Sequence, residues 1–328
     1  MSLLRRIALG FPVSSWSHRR AWCVDSLAQP GARRYFIEWN PDGGVYGEDF
    51  DGAPRGDGGV LLSGPQRYYH PIRIAQFALH RYSVWCTKRD QTARADFLAQ
   101  ADWLRDRQQS DGMPGLYVFN FPWSKYGAPA GWCSAMAQGE AISVLLRANQ
   151  LERSGGYADA AVRASLPFGA GIDRGGVVWE SGEEIFFEEI ANHHAPHVLN
   201  GCIYALWGLW ELWKVTDEPW LAERIERCVA TLRAWLPRFD TGWWSLYSLL
   251  LSATGQPHLA TLKYHQFHIA QMRVLAKMFD EPLFERAANR WSEYALRRAS
   301  RARLVGSTLL SLPERFLGRD TVLGGAHT

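Results

Sequence analysis

Residues 217–224 read Asp-Glu-Pro-Trp-Leu-Ala-Glu-Arg, and residues 280–287 read Asp-Glu-Pro-Leu-Phe-Glu-Arg-Ala. In both stretches an aromatic-rich segment with helical periodicity precedes the proline and an amphipathic segment follows it, as when proline occupies the first turn of a second helix. The two stretches are 63 residues apart, the same step back from Trp220 leads to Tyr157, and Phe97 lies 60 residues earlier. Helix pairs that recur at this spacing predict a curved array of αα-hairpins.

The predicted helices account for most of the chain after residue 70. One helix begins at Pro71, and the others cover about 92–109, 134–151, 157–166, 198–215, 218–235, 262–279 and 282–298. An array that curves back on itself in this way is an incomplete (α/α) toroid, or barrel, of helix hairpins, an architecture common in enzymes that hold polysaccharides. An open solenoid that binds proteins is the alternative. We therefore predict a mainly α fold.

The two ends of the chain differ from this helical part. Residues 1–70 carry clusters of glycine, aspartate and proline between short apolar runs, which predicts an extended or β-hairpin arm. We assign residues 71–303 to the toroid catalytic domain and residues 304–328 to a C-terminal tail. An arm of this length can reach a second subunit, so the sequence is compatible with a homodimer.

Composition excludes several classes of protein. Hydrophobic residues make up 47% and charged residues 21%, which excludes a disordered chain, and a net charge of +3 without a long basic stretch argues against nucleic-acid binding. No apolar run reaches the length of about 18 residues that a transmembrane helix needs. Five cysteines without CxxC spacing favour a reducing compartment. We expect a cytoplasmic protein whose first ten residues are able to associate with a membrane surface.

Acidic and histidine side chains cluster at residues 180–197, where two strand-like runs predict a β-hairpin over residues 176–190 inserted in the helical array. His193 and His194 are adjacent rather than four residues apart, and no HExxH occurs, so we predict no metal site. Glu188 and Glu189 should point to opposite faces if the strand continues, so that one of them faces the groove.

Several segments in this part of the chain resemble one known family. Residues 131–143, Gly-Trp-Cys-Ser-Ala-Met-Ala-Gln-Gly-Glu-Ala-Ile-Ser, resemble the signature Gly-Trp-Tyr-Ser-Ala-Met-Ala-Gln-Gly of the D-glucuronyl C5-epimerases. Residues 69–76, 198–201, 240–247 and 264–269 also match motifs of that family in order, and the basic segment 290–302 is similar. The resemblance covers roughly residues 65–303.

The resemblance implies an α/α-toroid enzyme, an isomerase that inverts C5 of D-glucuronate to L-iduronate within a heparosan-like acidic polysaccharide without a cofactor. Matched by motif, the catalytic glutamate is Glu189, the catalytic tyrosine is Tyr264, and a further active-site tyrosine is Tyr247. Two positions depart from the family: Ile190 replaces a tyrosine, and Leu250 replaces an arginine that is a candidate contact for an anion.

Epimerisation at C5 needs proton-transfer groups on both faces of the sugar ring and donors that stabilise an enolate-like intermediate. We expect Glu189, ionised at neutral pH, to face Tyr264 across the groove, with Lys263 or a protonated His265 favouring the Tyr264 phenolate. The predicted substrate-binding residues are Tyr69, Arg73, Tyr126, Trp132, Gln138, His193, Asn200, Trp243 and His265. A uronan lyase on the same scaffold and a non-catalytic glycan-binding toroid are the alternatives.

Overall fold

The structure, a computed structural model, describes residues 35–37, 50, 52–252 and 255–310. Within these ranges, eight helices form four successive hairpins. The hairpins are α1 (Pro71–Lys88) with α2 (Gln91–Asp106), α3 (Ala135–Leu151) with α4 (Tyr157–Ser165), α5 (Leu199–Thr216) with α6 (Pro219–Trp235), and α7 (Leu262–Met278) with α8 (Pro282–Leu296). A ninth helix, α9 (Arg298–Leu310), follows. The helices that the periodicity predicts are therefore present, with ends shifted by a few residues.

Each hairpin turns through a residue in the left-handed region, and these residues are Arg89, Gly156, Asp217 and Asp280. In the repeated Asp-Glu-Pro stretches, the aspartate leaves the inner helix with positive φ and the proline takes the first position of the outer helix, where it has no hydrogen bond to lose. The predicted first repeat is out of register. Phe97 lies well inside α2 rather than near its start, because Asp90 already caps that helix.

The first helices of the four hairpins form the inner layer. α1 packs on α3, α3 on α5 and α5 on α7, while α2, α4, α6 and α8 pack outside their own partners. In the described part of the chain, α1 and α7 make no extensive contact with each other, so the ring stays open on that side. This arrangement confirms the predicted fold class, a mainly α, incomplete toroid of helix hairpins.

The closest approach in the inner layer is between α3 and α5. A Cβ atom on Gly139 would lie 2.5 Å from Ala205 Cα, and one on Gly208 would lie 2.6 Å from Gly139 Cα, so only glycine allows this crossing. Next to it, Arg147 donates two hydrogen bonds to the Glu211 carboxylate at 2.7 and 2.9 Å, with both side chains fully buried. The two helices are thus joined by backbone contact and by an ion pair.

Three small antiparallel hairpins connect the helices. β1 (Val118–Phe119) pairs with β2 (Trp132–Cys133), β3 (Val178–Ser181) with β4 (Glu184–Phe187), and β5 (Leu246–Leu251) with β6 (Pro257–Leu259). β3 and β4 form the inserted hairpin that the sequence predicts, with Val178 opposite Phe187 and Ser181 opposite Glu184. The sequence analysis predicts neither of the other two hairpins.

The predicted N-terminal arm is described only in part. Residues 35–37 are buried, with the Phe36 ring 5.0 Å from Trp207 on α5, and residues 52–70 form single bridges rather than a named strand. The remainder of the arm, including the first ten residues, lies outside the described residues, as does the tail from residue 311. Helix α9 crosses the predicted domain boundary at residue 303. Among the described residues, no helix has both the length and the apolarity to span a membrane.

Candidate active site

Glu188 and Glu189 follow strand β4 and are held in place by backbone hydrogen bonds. Glu188 N–H donates to Val177 O at 2.9 Å, and Ala135 N–H at the start of α3 donates to Glu188 O at 2.8 Å. The two adjacent side chains have different partners. The Glu188 carboxylate contacts His197 Nδ1 at 2.5 Å and accepts from His197 N–H at 3.0 Å, both groups being buried. Glu188 is therefore a structural residue, and Glu189 is available for chemistry.

Glu189 lies against the start of α5, where Gly201 leaves room for it. A Cβ atom on Gly201 would lie 2.5 Å from Glu189 Cβ and 2.9 Å from Glu189 Cγ. The Tyr247 hydroxyl donates to Glu189 Oε1 at 3.4 Å, while Oε2 is buried without a hydrogen-bond partner among the described residues. A buried carboxylate oxygen without a partner is costly in a folded protein, and such atoms occur where a ligand is to be met.

Burial raises the pKa of Glu189 from 4.5 to about 8, even though the Tyr247 hydrogen bond and the Lys125 charge lower it. Loss of hydration penalises the carboxylate more than these two groups stabilise it. The expectation that Glu189 is ionised at neutral pH is therefore wrong for the free protein, in which the protonated form predominates.

Three tyrosines surround this carboxyl group. Tyr247 lies on β5, Tyr264 in the first turn of α7, and Tyr126 at the end of the short turn Ser124–Tyr126. The Tyr247 and Tyr264 rings meet edge to face with centroids 4.7 Å apart. Burial, and then the nearby Glu189 charge, raise the pKa of Tyr247 and of Tyr126 well above 10. The three predicted catalytic residues are thus brought together, with Tyr247 in contact with the other two.

A serine and two histidines fix α7, and with it Tyr264, against the strand that carries Tyr247. Ser245 Oγ lies 2.7 Å from His265 Nδ1 and 2.9 Å from His268 Nδ1, and His265 Nε2 lies 2.9 Å from Trp291 O. Burial lowers the pKa of His265 to about 4. His265 is therefore neutral at physiological pH, and the expectation that its charge favours the Tyr264 phenolate is wrong.

Several predicted substrate-binding residues are structural instead. His265 is fully buried, Gln138 uses its amide in hydrogen bonds to the backbone of Gly115, Tyr117 and Ala164, and Trp132 stacks on Phe119 with centroids 3.7 Å apart while its Nε1 donates to Phe121 O. These contacts contradict a direct substrate contact for the three side chains, because their polar groups are already engaged.

The remaining predicted residues lie at different distances from the tyrosines. Asn200, next to Gly201, is buried with Oδ1 lacking a hydrogen-bond partner among the described residues. His193 is exposed and packs on His194, whose ring borders the Gly127 turn. Tyr69 and Arg73 contact the segment before α1, through Asp57 N and Ser63 Oγ respectively. Trp243 is covered by Arg303 of α9, 4.4 Å from its ring centroid. Substrate contacts by these residues stay predictions.

Two polar residues at the site were missed by the sequence analysis. Lys125 Nζ lies 3.3 Å from His258 Nε2, and His258 Nδ1 lies 2.7 Å from Ser248 Oγ. Lys125 precedes Glu189 by more than 60 residues and His258 belongs to the unpredicted strand β6, so no local pattern connects them. In the described ranges, no three His, Cys, Asp or Glu side chains come together as a metal site would require.

Known proteins show similarity to this chain over the same region. A 33% identical relative is the D-glucuronyl C5-epimerase of Caenorhabditis elegans, aligned over 222 residues, 63% of this chain and 36% of that protein. An uncharacterized protein of Methanocaldococcus jannaschii is 26% identical over 54% of this chain and 57% of its own length. The chain thus spans between about a third and somewhat over half the length of these relatives.

Solved structures with partial similarity include the unsaturated glucuronyl hydrolase of Bacillus sp. GL1, with a TM-score of 0.47, 15% identity, and coverage of 68% of this chain and 61% of that one. A D-mannose isomerase has a TM-score of 0.45 and 15% identity, over 74% of this chain and 66% of its own. The family model for the C-terminus of D-glucuronyl C5-epimerase matches residues 111–293, which include the tyrosines and Glu189. The chain therefore belongs to the D-glucuronyl C5-epimerase family.

Proposed function

We propose that this protein is a C5-epimerase that inverts D-glucuronate to L-iduronate within a heparosan-like polysaccharide. The observation that carries the proposal is the buried cluster in which Tyr247 contacts both Glu189 and Tyr264. The cluster combines a carboxyl group and a phenol, the two kinds of proton-transfer group that the reaction needs on opposite faces of one sugar ring. Membership of the family supports the reaction class.

In the proposed mechanism, one group removes the C5 proton, and the electron pair of the C–H bond is delocalised into the substrate carboxylate as an enolate. The second group then donates a proton to the opposite face of C5. Glu189, with a pKa of about 8, can hold or release a proton near neutral pH, as a group that serves in both directions of a reversible reaction requires. Tyr264 takes the other face, and Tyr247 stabilises the charge of Glu189 by its hydrogen bond.

A polymer is the proposed substrate rather than a sugar nucleotide, because neighbouring sugar rings can contribute binding energy to the reacting one. Aromatic side chains at the site, such as Tyr126 and Tyr264, offer flat surfaces to such rings. The identity of the uronan, a homodimeric assembly and a cytoplasmic location stay predictions from the sequence.

Incubation of the protein with heparosan in deuterated water tests the proposal, with the product analysed by NMR and mass spectrometry. Incorporation of deuterium at C5 without chain cleavage is the expected result. Unsaturated chain ends would instead identify a uronan lyase, and glycan binding without either change would identify a non-catalytic binder.

Two substitutions test the assigned roles. Tyr264→Phe and Glu189→Gln preserve side-chain volume, so each should leave the fold intact and lower the exchange rate at least about a hundredfold, the lower end for a lost acid–base group. Tyr157→Phe, which removes a hydroxyl bonded to Asp102 on the outer layer, is the matched control and should exchange normally. Full activity of Tyr264→Phe or Glu189→Gln would remove that residue from the mechanism.

A further inference from the structure

The site contains a positively charged pair whose protonation pattern follows from its hydrogen bonds. A lysine ammonium has donors only, so Lys125 donates to His258 Nε2, and His258 must then carry its proton on Nδ1 and donate to Ser248 Oγ. Ser248 is fully buried on β5, directly after Tyr247. The pair therefore carries one positive charge, and a rigid strand fixes its position.

This charge lies beside the proposed proton-transfer groups. The His258 ring meets the Tyr247 ring edge to face at 5.0 Å, and Lys125 precedes Tyr126 in the same turn. Lys125 is close enough to Glu189 to lower the pKa of its carboxyl group. Lys125 and His258 are only partly buried, so the pair borders the buried cluster on a side that solvent can reach.

The chemistry at C5 requires a cation near the substrate carboxylate. Removal of the C5 proton adds negative charge to a group that is already an anion, and a fixed positive charge there stabilises the transition state. The positions at which the family resemblance places a tyrosine and an arginine are Ile190 and Leu250 in this chain, and both are buried apolar residues. Neither can bind an anion.

We propose that the Lys125–His258 pair binds the carboxylate of the reacting uronate, with Lys125 Nζ as the direct donor and His258 as the residue that positions it. The inference rests on the proposed function and assigns its specificity for acidic sugars to residues that differ from the positions implied by the resemblance. Ser248, two residues before Leu250 on β5, fixes the orientation of His258.

Binding of an oligosaccharide in the absence of turnover tests this assignment. The probes are a heparosan oligosaccharide and its carboxyl-reduced counterpart, in which neutral glucose replaces glucuronate, measured by calorimetry. The wild type should bind the acidic probe at least about tenfold more tightly, the scale of one charge-assisted hydrogen bond. In Lys125→Met this preference should disappear while affinity for the neutral probe is unchanged, and Lys125→Arg should restore it.

Lys277→Met is the matched control, since Lys277 is an exposed residue in the last turn of α7, several turns from Tyr264, and this variant should retain the preference. The assignment is overturned if Lys125→Met retains the preference, if it weakens binding of both probes equally, or if the wild type does not distinguish them. A Lys125-dependent preference in a protein that exchanges no deuterium at C5 would uphold the carboxylate site and refute the epimerase activity.

Discussion

Replacement of Glu189 by glutamine should stabilise the protein at high pH, even though it removes a proposed catalytic group. The free-energy cost of Glu189 arises because the folded protein holds its pKa at about 8, against 4.5 for an ordinary glutamate. At about 1.36 kcal/mol for each pKa unit, the full cost is about 5 kcal/mol.

The sign follows from proton binding. Below pH 4.5 the carboxyl group is protonated in both states and costs nothing. Between pH 4.5 and 8 it ionises in the unfolded chain but keeps its proton in the folded protein, so stability falls as pH rises, and above pH 8 the loss is complete. Glutamine is neutral throughout and still accepts the hydrogen bond from Tyr247. The stability advantage of Glu189→Gln should therefore grow by about 4 kcal/mol between pH 5 and pH 9.

Urea unfolding followed by tryptophan fluorescence measures this difference at a series of pH values, with 16 tryptophans providing the signal. Glu226→Gln, which neutralises an exposed carboxylate on α6, is the control and should show little change with pH. The other buried carboxyl groups are common to wild type and variant, so the difference between the two curves reports on Glu189. A difference that stays constant within about 1 kcal/mol from pH 5 to pH 9 would refute the burial argument.

Three further changes have defined outcomes. Gly201→Ala should lower C5 exchange at least about tenfold, because the added methyl group displaces Glu189, and activity equal to wild type would contradict this packing. Tyr247→Phe should move the pH profile of kcat/KM to higher pH, since its hydrogen bond lowers the pKa of Glu189; an unmoved profile would show that the bond is not made in solution. Glu211→Ala should destabilise the protein by about 3–5 kcal/mol in urea unfolding, because it leaves Arg147 buried without its partner, and a loss below about 1 kcal/mol would count against that ion pair.

The helical framework was predictable because its signals are local. Proline at the first position of α1, α6 and α8, together with the repeated Asp-Glu-Pro turns, places helix ends within a few residues of the sequence. The β3–β4 hairpin was predictable for the same reason, since its two apolar runs flank a short turn. The β5–β6 hairpin was not, because its partners have a shifted register and the serine-rich stretch between them has weak strand propensity.

The site was predictable only where a motif carried it. Glu189, Tyr247 and Tyr264 come from the resemblance, and the structure brings them together. His265 was misassigned because a buried histidine and a substrate-facing histidine look the same in a sequence; hydrogen bonds from Ser245 and Trp291 O decide between them. Lys125 has no local signal at all, because its place beside Tyr247 depends on the packing of the loop at residues 123–128.

The crossing of α3 and α5 at Gly139 and Gly208 determines which parts of the molecule can move. Since backbone meets backbone there, the two helices cannot slide or roll past each other without a steric clash, so they form a single rigid block. Glu189 sits on this block, between the start of α3 and Gly201 of α5. Any opening that admits a glycan chain then falls to the loop at residues 123–128 and the β5–β6 hairpin, which would carry Lys125 and Tyr247 toward a stationary carboxyl group.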